Sequence, residues 1–99
     1  MSIAELTEHM HAFVDGKGWY APESPKVQSP KNLAISLSLE ANEVLEHFQW
    51  GENSAEPEAL AGELADVALY LLQLASVSNI DLEQAILDKL AVNKTRSWE

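Results

Sequence analysis

The sequence predicts an all-α fold, a compact antiparallel four-helix bundle formed by one domain, and three observations carry that expectation. Ala, Leu and Glu dominate a chain that has only four glycines and four prolines, a composition that favours helices. Apolar residues recur at three- and four-residue spacing in four segments, the period of one buried helix face. No segment shows the alternation of a strand, an internal repeat or low complexity. Ninety-nine residues suffice for one core and are too few for two.

The first helix is expected to start after Ser2, a natural N-cap, and to run to about Asp15, where Gly16 and Gly18 stop it. Its apolar set is Ile3, Leu6, Met10, Phe13 and Val14. Gly16 to Gln28 follows as an aromatic-bearing loop with Trp19 and Tyr20. Ser29-Pro30 reads as an N-cap followed by proline at the first helical position, opening a second helix that reaches about Phe48 and ends near Trp50-Gly51. A polar connection leads to a third helix, roughly Pro57 to Ser78, whose Leu64–Val77 stretch is apolar nearly all round, as in a central bundle helix. Asn79-Ile80-Asp81 makes the next turn. Asp81 with Gln84 resembles a capping box and opens a fourth helix ending near Lys94.

The formal charge is −10, from 16 acidic and 6 basic residues. Such a chain gains nothing from a nucleic-acid backbone and is repelled by an anionic membrane; it binds a small anion only where a cation inverts the local field. Cysteine is absent, which removes disulfides and thiolate–metal sites from consideration. Met1 to Val14 has no basic or apolar region of a signal peptide. The longest uncharged stretch, Val67 to Ile80, is shorter than the ~20 residues of a membrane span. These points predict a cytoplasmic protein with no nucleic-acid polymer or membrane among its partners.

Carboxylates stand where leucines are expected. On the second helix Leu33, Leu37, Val44 and Phe48 share a stripe; Glu40 lies inside it and Glu43 follows one turn later. On the third, Leu60, Val67, Tyr70 and Leu74 form the stripe, with Glu63 inside it and Asp66 one turn on. Helices joined by a short connection pack antiparallel with their stripes facing, which brings the four acids together. Two carboxylates ~5 Å apart at an effective dielectric of ~20 repel by roughly 3 kcal/mol. Protonation, basic partners or a hard divalent cation could relieve that cost. Lys and Arg are absent between Lys31 and Lys89. An all-carboxylate set suits Mg²⁺, with Mn²⁺ as substitute. A single glutamate on a helix is ordinarily a solvated surface acid; two acid pairs inside adjacent apolar stripes are not.

The runs Ser29-Pro30-Lys31-Asn32-Leu33-Ala34, Glu40-Ala41-Asn42-Glu43 through His47-Phe48-Gln49-Trp50, and Glu63-Leu64-Ala65-Asp66-Val67 closely resemble the MazG-like all-α NTP pyrophosphohydrolases, in particular their short members similar to dCTP pyrophosphatases. The resemblance extends from Phe13 to Arg96. It implies hydrolysis of a nucleoside triphosphate, with a dNTP such as dCTP or dATP or a modified nucleotide favoured, to the monophosphate and pyrophosphate. It implies Mg²⁺ on Glu40, Glu43, Glu63 and Asp66, with Glu43, beside Glu40, orienting or deprotonating the attacking water. It further implies that Trp19 and Trp50 line a base pocket, that Tyr70, Lys89 and Asn93 meet the nucleotide, and that Lys31 and Arg96 complete the substrate contacts. A homodimer or a homotetramer built from two dimers is the implied assembly. Two features depart from the family's pattern. The loop from Trp19 to Ser29 is long and has Lys17 in place of an Arg before the Trp, and the chain ends Arg96-Ser97-Trp98-Glu99 where many members have Arg-Tyr-Pro.

Two other classes remain beside this one. A di-iron carboxylate bundle needs Glu-x-x-His on two helices, and the chain has it once, at Glu8 and His11. A non-enzymatic, antitoxin-like helical module accounts for the acidity but not for acids inside apolar stripes. His9, His11 and His47 are expected at the surface or in an interface.

Overall fold

Ser2 caps the first helix in the computed structural model, which describes residues 1–96: its hydroxyl accepts the Glu5 N–H while the Glu5 carboxylate accepts the Ser2 N–H, a reciprocal capping box. Four helices follow in order, α1 (Ile3–Gly16), α2 (Pro30–Glu46), α3 (Pro57–Val77) and α4 (Leu82–Thr95), and no strand occurs among the described residues. The C-terminal departure at Ser97, Trp98 and Glu99 lies outside the described residues.

The ends of the helices follow their local chemistry. Gly18, at φ 75°, closes α1: the Gly18 N–H donates to Asp15 O (2.9 Å) and the Trp19 N–H to Val14 O (3.2 Å), a Schellman turn that needs a left-handed residue. It folds Trp19 back against the helix just completed. Asn79, at φ 59°, ends α3 in the same way, with the Ile80 N–H on Ala75 O at 2.9 Å. Ser29 caps α2 through the Asn32 N–H, ahead of Pro30. That helix stops at Glu46, short of Phe48, because the His47 and Phe48 N–H groups bond three residues back, to Val44 O and Leu45 O. At α4 the Asp81 carboxylate accepts the Gln84 N–H, but the Gln84 amide donates to Asp88 rather than back to the cap; half of the expected capping box is present.

The expected central helix is α3, which packs against α2 and α1 and, thinly, against α4. The connection keeps α2 antiparallel to it: His47 at the end of α2 meets Glu63 near the start of α3, while Gln28 just before α2 meets Gln73 near the end of α3. By length and composition alone α3 could cross a bilayer. It carries Glu63 and Asp66, each costing roughly 2.5–3.5 kcal/mol at a bilayer centre, and two helices already occupy its flanks.

The core is small. Met10, Val14, Leu33, Leu72 and Ala75 are the buried apolar residues among those described. The surface is 7477 Å², where a folded monomer of this mass exposes about 5600 Å². The radius of gyration, 15.9 Å, likewise exceeds the ~13 Å of a closed domain of this length. Much of the difference is apolar: Ile86, Leu87 and Leu90 on α4 and Leu64 on α3 are each around half exposed.

Candidate active site

The inward stripes of α2 and α3 form as the spacing predicts except at Phe48, which lies beyond the end of α2 and is exposed, leaving His47 on the inner side there. Leu33 is buried, Leu37, Glu40, Val44 and His47 are half-buried, and so are Leu60, Glu63, Val67, Tyr70 and Leu74. Glu40 and Glu63 therefore sit inside the α2–α3 contact, whereas Glu43 and Asp66 stand at its exposed rim. The other three carboxylates all act on Glu40. Desolvation, then the adjacent carboxyl of Glu43, then the charges of Glu43, Asp66 and Glu63 hold the Glu40 carboxyl above the usual carboxylate range. Glu40 Oε2 is buried with no hydrogen-bond partner. Buried Glu63 Oε2 touches His47 Nε2 without a well-directed hydrogen bond. Among the described residues no three acidic or histidine side chains converge as a ready metal-holding group: two of the acids face solvent and the third is turned to His47.

Beside this cluster lies a cavity of about 580 Å³, within the range of small-ligand sites. Its walls come from α1, the 17–29 loop, α2 and α3, and it is largely apolar, with Met10, Phe13, Leu33 and Leu69 among the lining residues. Polar groups enter at a few points: Lys26 and Asn32 at one side, Gln73 in the wall, Tyr70 and Asp66 toward the acids. Asp66 belongs to both the cavity and the carboxylate cluster. Trp19 also lines it, set edge-on against Phe13 (ring centroids 5.7 Å apart, planes at 87°), with Lys26 Nζ 4.4 Å from the Trp19 ring centroid.

A buried polar network holds the loop that carries Trp19. Gln73, 3% exposed, donates from Nε2 to Gln28 Oε1 (2.7 Å) and to Tyr20 Oη (3.2 Å). Tyr20 Oη lies 2.6 Å from His11 Nδ1, and His11 Nε2 lies 2.6 Å from Ser76 Oγ. In one His11 tautomer the Tyr20 O–H donates to Nδ1 and the His11 Nε2–H donates to Ser76, which completes the chain of bonds. Burial of Tyr20 raises its hydroxyl above the ordinary value; the Gln73 bond opposes this and the Asp15 charge adds to it.

The sequence-predicted site residues divide into two groups. Glu40, Glu43, Glu63, Asp66, Trp19 and Tyr70 are brought together around the cluster and the cavity. Trp50 is 90% exposed and flanks a separate, shallow hollow with His47 and Ser54, so the chain alone does not bring it to Trp19. Lys31 is exposed in the first turn of α2, one residue from Asn32 in the wall. Lys89 and Arg96 are exposed and Asn93 half-buried on or beside α4, and no described residue of α4 lines the cavity. Of the histidines, His9 is exposed as expected, but His11 and His47 are half-buried and bonded. With His11 engaged by Tyr20 and Ser76, the Glu8–His11 pair stands apart from the acids, and the di-iron arrangement has no second motif to complete it. Gln73 and Asn32 went unforeseen; a glutamine within the apolar run of α3 was the signal available.

A sequence model of the MazG-like family matches residues 35–98, which include all four carboxylates. The chain belongs to the MazG-like family. It is 38% identical over 76 residues to human dCTP pyrophosphatase 1, a match covering 68% of this chain and 45% of that protein. It thus spans about half the length of that relative. A dATP/dGTP diphosphohydrolase of Cyanophage S-2L is 47% identical over 36 residues, 36% of this chain and 34% of that protein. The crystal structure of a pyrophosphatase from Archaeoglobus fulgidus superposes with a TM-score of 0.75 at 36% identity, covering 93% of this chain and 88% of that one.

Proposed function

We propose that this MazG-like chain hydrolyses a nucleoside triphosphate, most favourably a deoxynucleotide such as dCTP or dATP or a base-modified form, to the monophosphate and pyrophosphate, in a house-cleaning role in the cytoplasmic nucleotide pool. The observation that carries the reading is Asp66, shared by an acidic cluster suited to phosphate chemistry and a cavity suited to a base and sugar. The names of the relatives above support the same reaction class.

Glu40, Glu43, Glu63 and Asp66 would hold Mg²⁺, with Mn²⁺ as substitute. Their fit is chemical: all donors are hard oxygens, one buried Glu40 oxygen has no partner, and like charges hold the Glu40 carboxyl above its usual range. Bound Mg²⁺ supplies neutralising charge for the triphosphate and a more acidic water. The chain's residues do the rest. Glu43, exposed beside Glu40, accepts a proton from the water that attacks the α-phosphorus, and the bond to the β-phosphate oxygen breaks as pyrophosphate leaves. Trp19 stacks on the base, and Tyr70, at the junction of cavity and cluster, orients the phosphates. Lys31, Lys89, Asn93 and Arg96 are assigned to the triphosphate, with those on or beside α4 arriving when a second copy completes the pocket. The excess surface, about 1900 Å² over a closed monomer, is more than one standard interface removes from one partner, about 800 Å². It accommodates a homodimer or a homotetramer of two dimers.

The test is a panel of NTPs and dNTPs assayed for pyrophosphate in ¹⁸O-water. Pyrophosphate release with label in the monophosphate is expected. Label in orthophosphate, or no turnover of any member, overturns the proposal.

A further inference from the structure

Between Lys31 and Lys89 the chain has no Lys or Arg, and His47 is the only histidine. It is therefore the one side chain in this acidic stretch able to bring a positive charge to a carboxylate. The fold uses it so. His47 is the C-cap of α2, its side chain is 11% exposed, and its Nε2 touches Glu63 Oε2 in the apolar stripe of α3. The other ring nitrogen, Nδ1, lies 2.8 Å from Ser54 Oγ in the connection. Ser54 Oγ in turn accepts the Glu56 N–H at 3.1 Å, just ahead of Pro57.

Donor and acceptor roles follow from this geometry. A carboxylate only accepts, so the His47 ring carries its proton on Nε2, toward Glu63. Ser54 accepts from the backbone and donates its O–H to Nδ1 in the neutral ring. The relay runs from the start of α3, through the connection, to the end of α2 and back to α3. It constrains the ring and, through it, the carboxylate. Without His47, the buried Glu63 Oε2 would lose this contact, and the side chain would be released to turn out to solvent.

We propose that His47, oriented by Ser54, is a positioning residue that holds the Glu63 carboxylate directed within the acidic cluster for divalent-cation binding. The inference rests on the cluster being the metal site proposed above. Hydrogen-bond partners of metal-binding carboxylates typically contribute ~10–100-fold to metal affinity, and losses of that order are expected here.

The experiment measures binding of Mn²⁺ alone, by loss of the free-ion electron paramagnetic resonance signal, for the parent, Glu63→Gln, His47→Leu, His47→Gln and Ser54→Ala. Thermal melting in EDTA reports folding. His47→Leu is expected to weaken Mn²⁺ binding by roughly 10–100-fold. His47→Gln, whose amide can still donate to Glu63, should recover part of the loss. Ser54→Ala should fall between parent and His47→Leu while melting close to the parent. Parent-like Mn²⁺ affinity in Glu63→Gln overturns the metal-site reading and this inference with it. Weakened binding in Glu63→Gln but parent-like affinity in His47→Leu and Ser54→Ala overturns this inference alone and leaves His47 as a tether of the connection. Should His47→Leu fail to fold, parent-like affinity in Ser54→Ala overturns it.

Discussion

Replacing Trp19 with alanine separates two roles that its surroundings allow. In the free protein the indole is held by the edge-on contact with Phe13 and by Lys26 over its face. An aromatic pair contributes about 0.5–1.5 kcal/mol and an exposed cation–π contact about 0.5–1 kcal/mol. Trp19→Ala should therefore destabilise the free protein by about 1–2.5 kcal/mol, several degrees or more in Tm for a domain this small. The second role exists only with substrate present. Stacking on a nucleobase is worth about 1–3 kcal/mol, which at 1.4 kcal/mol per decade raises KM by roughly 5- to 150-fold. Stacking is made equally in the ground and transition states, so kcat should change less than KM.

The assay is steady-state pyrophosphate release well below the lowered Tm, run beside thermal melts of the substrate-free proteins. Trp19→Phe, which keeps a flat ring, should be intermediate in both readouts. Trp19 fluorescence in a Trp50→Phe, Trp98→Phe background should respond to a substrate analogue. A lowered Tm with unchanged KM and silent fluorescence would show that Trp19 only fastens the loop to α1, and the base-stacking argument would fail.

The other predictions concern the acids, the loop network and the assembly. Glu40→Gln, Glu43→Gln, Glu63→Gln and Asp66→Asn should each lower turnover by orders of magnitude, yet in EDTA Glu40→Gln and Glu43→Gln should melt no lower than the parent because each removes like-charge repulsion; full activity in EDTA, or in any two variants, contradicts the site. For Tyr20, folding raises the hydroxyl above its ordinary value of 10.0. Its stabilising contribution is intact below that pH, and is lost as pH rises from there through the folded value because the unfolded chain ionises first. Urea melts at pH 9–11 should show a steeper loss of stability in the parent than in Tyr20→Phe, and parallel slopes refute the assignment. Light scattering at micromolar concentration should give a dimer or tetramer mass; a monomer contradicts the argument from excess surface.

What the sequence disclosed and what it concealed have separate physical causes. Ser2, Ser29-Pro30 and Asp81 marked helix starts because capping is a contact between near neighbours, and the structure places α1, α2 and α4 there. Glu40 and Glu63 stood out because an acid inside an apolar stripe violates a period visible in one dimension. The finer division, Glu40 and Glu63 inside with Glu43 and Asp66 at the rim, depends on helix rotation, which spacing alone does not define. Contacts distant in sequence were not legible. His11 reaches Ser76 across 65 positions and Gln73 reaches Tyr20 across 53, so His11 carries no local mark of its role, and Gln73 only that of a polar residue within an apolar run. His47 is the instructive intermediate. Its partners Ser54 and Glu63 lie 7 and 16 residues on, across a connection whose path no periodicity describes, and a histidine at a helix end reads as a surface residue until that path is known.

The small core and the candidate site are connected. The space between α1, α2 and α3 that a closed bundle would fill with side chains is instead a cavity of about 580 Å³, and the adjoining α2–α3 contact contains acids where leucines would pack. Both features subtract from folding free energy, the first through lost dispersion contacts and the second through charge repulsion. The five buried apolar residues among those described compensate poorly. Two external contributions remain available: covering the exposed apolar faces with another copy, and binding ligands that interact with the folded state alone, which adds RT ln(1 + [L]/Kd). The same charges that destabilise the cluster would, under the proposed function, strengthen its binding of a cation, since binding would relieve the repulsion. Substituting leucine at Glu40 or Glu63 would restore the stripe and strengthen the fold while removing the donors the proposed reaction needs. A site of this kind persists at a cost in stability, so the acids in the stripes are better explained by chemistry than by packing.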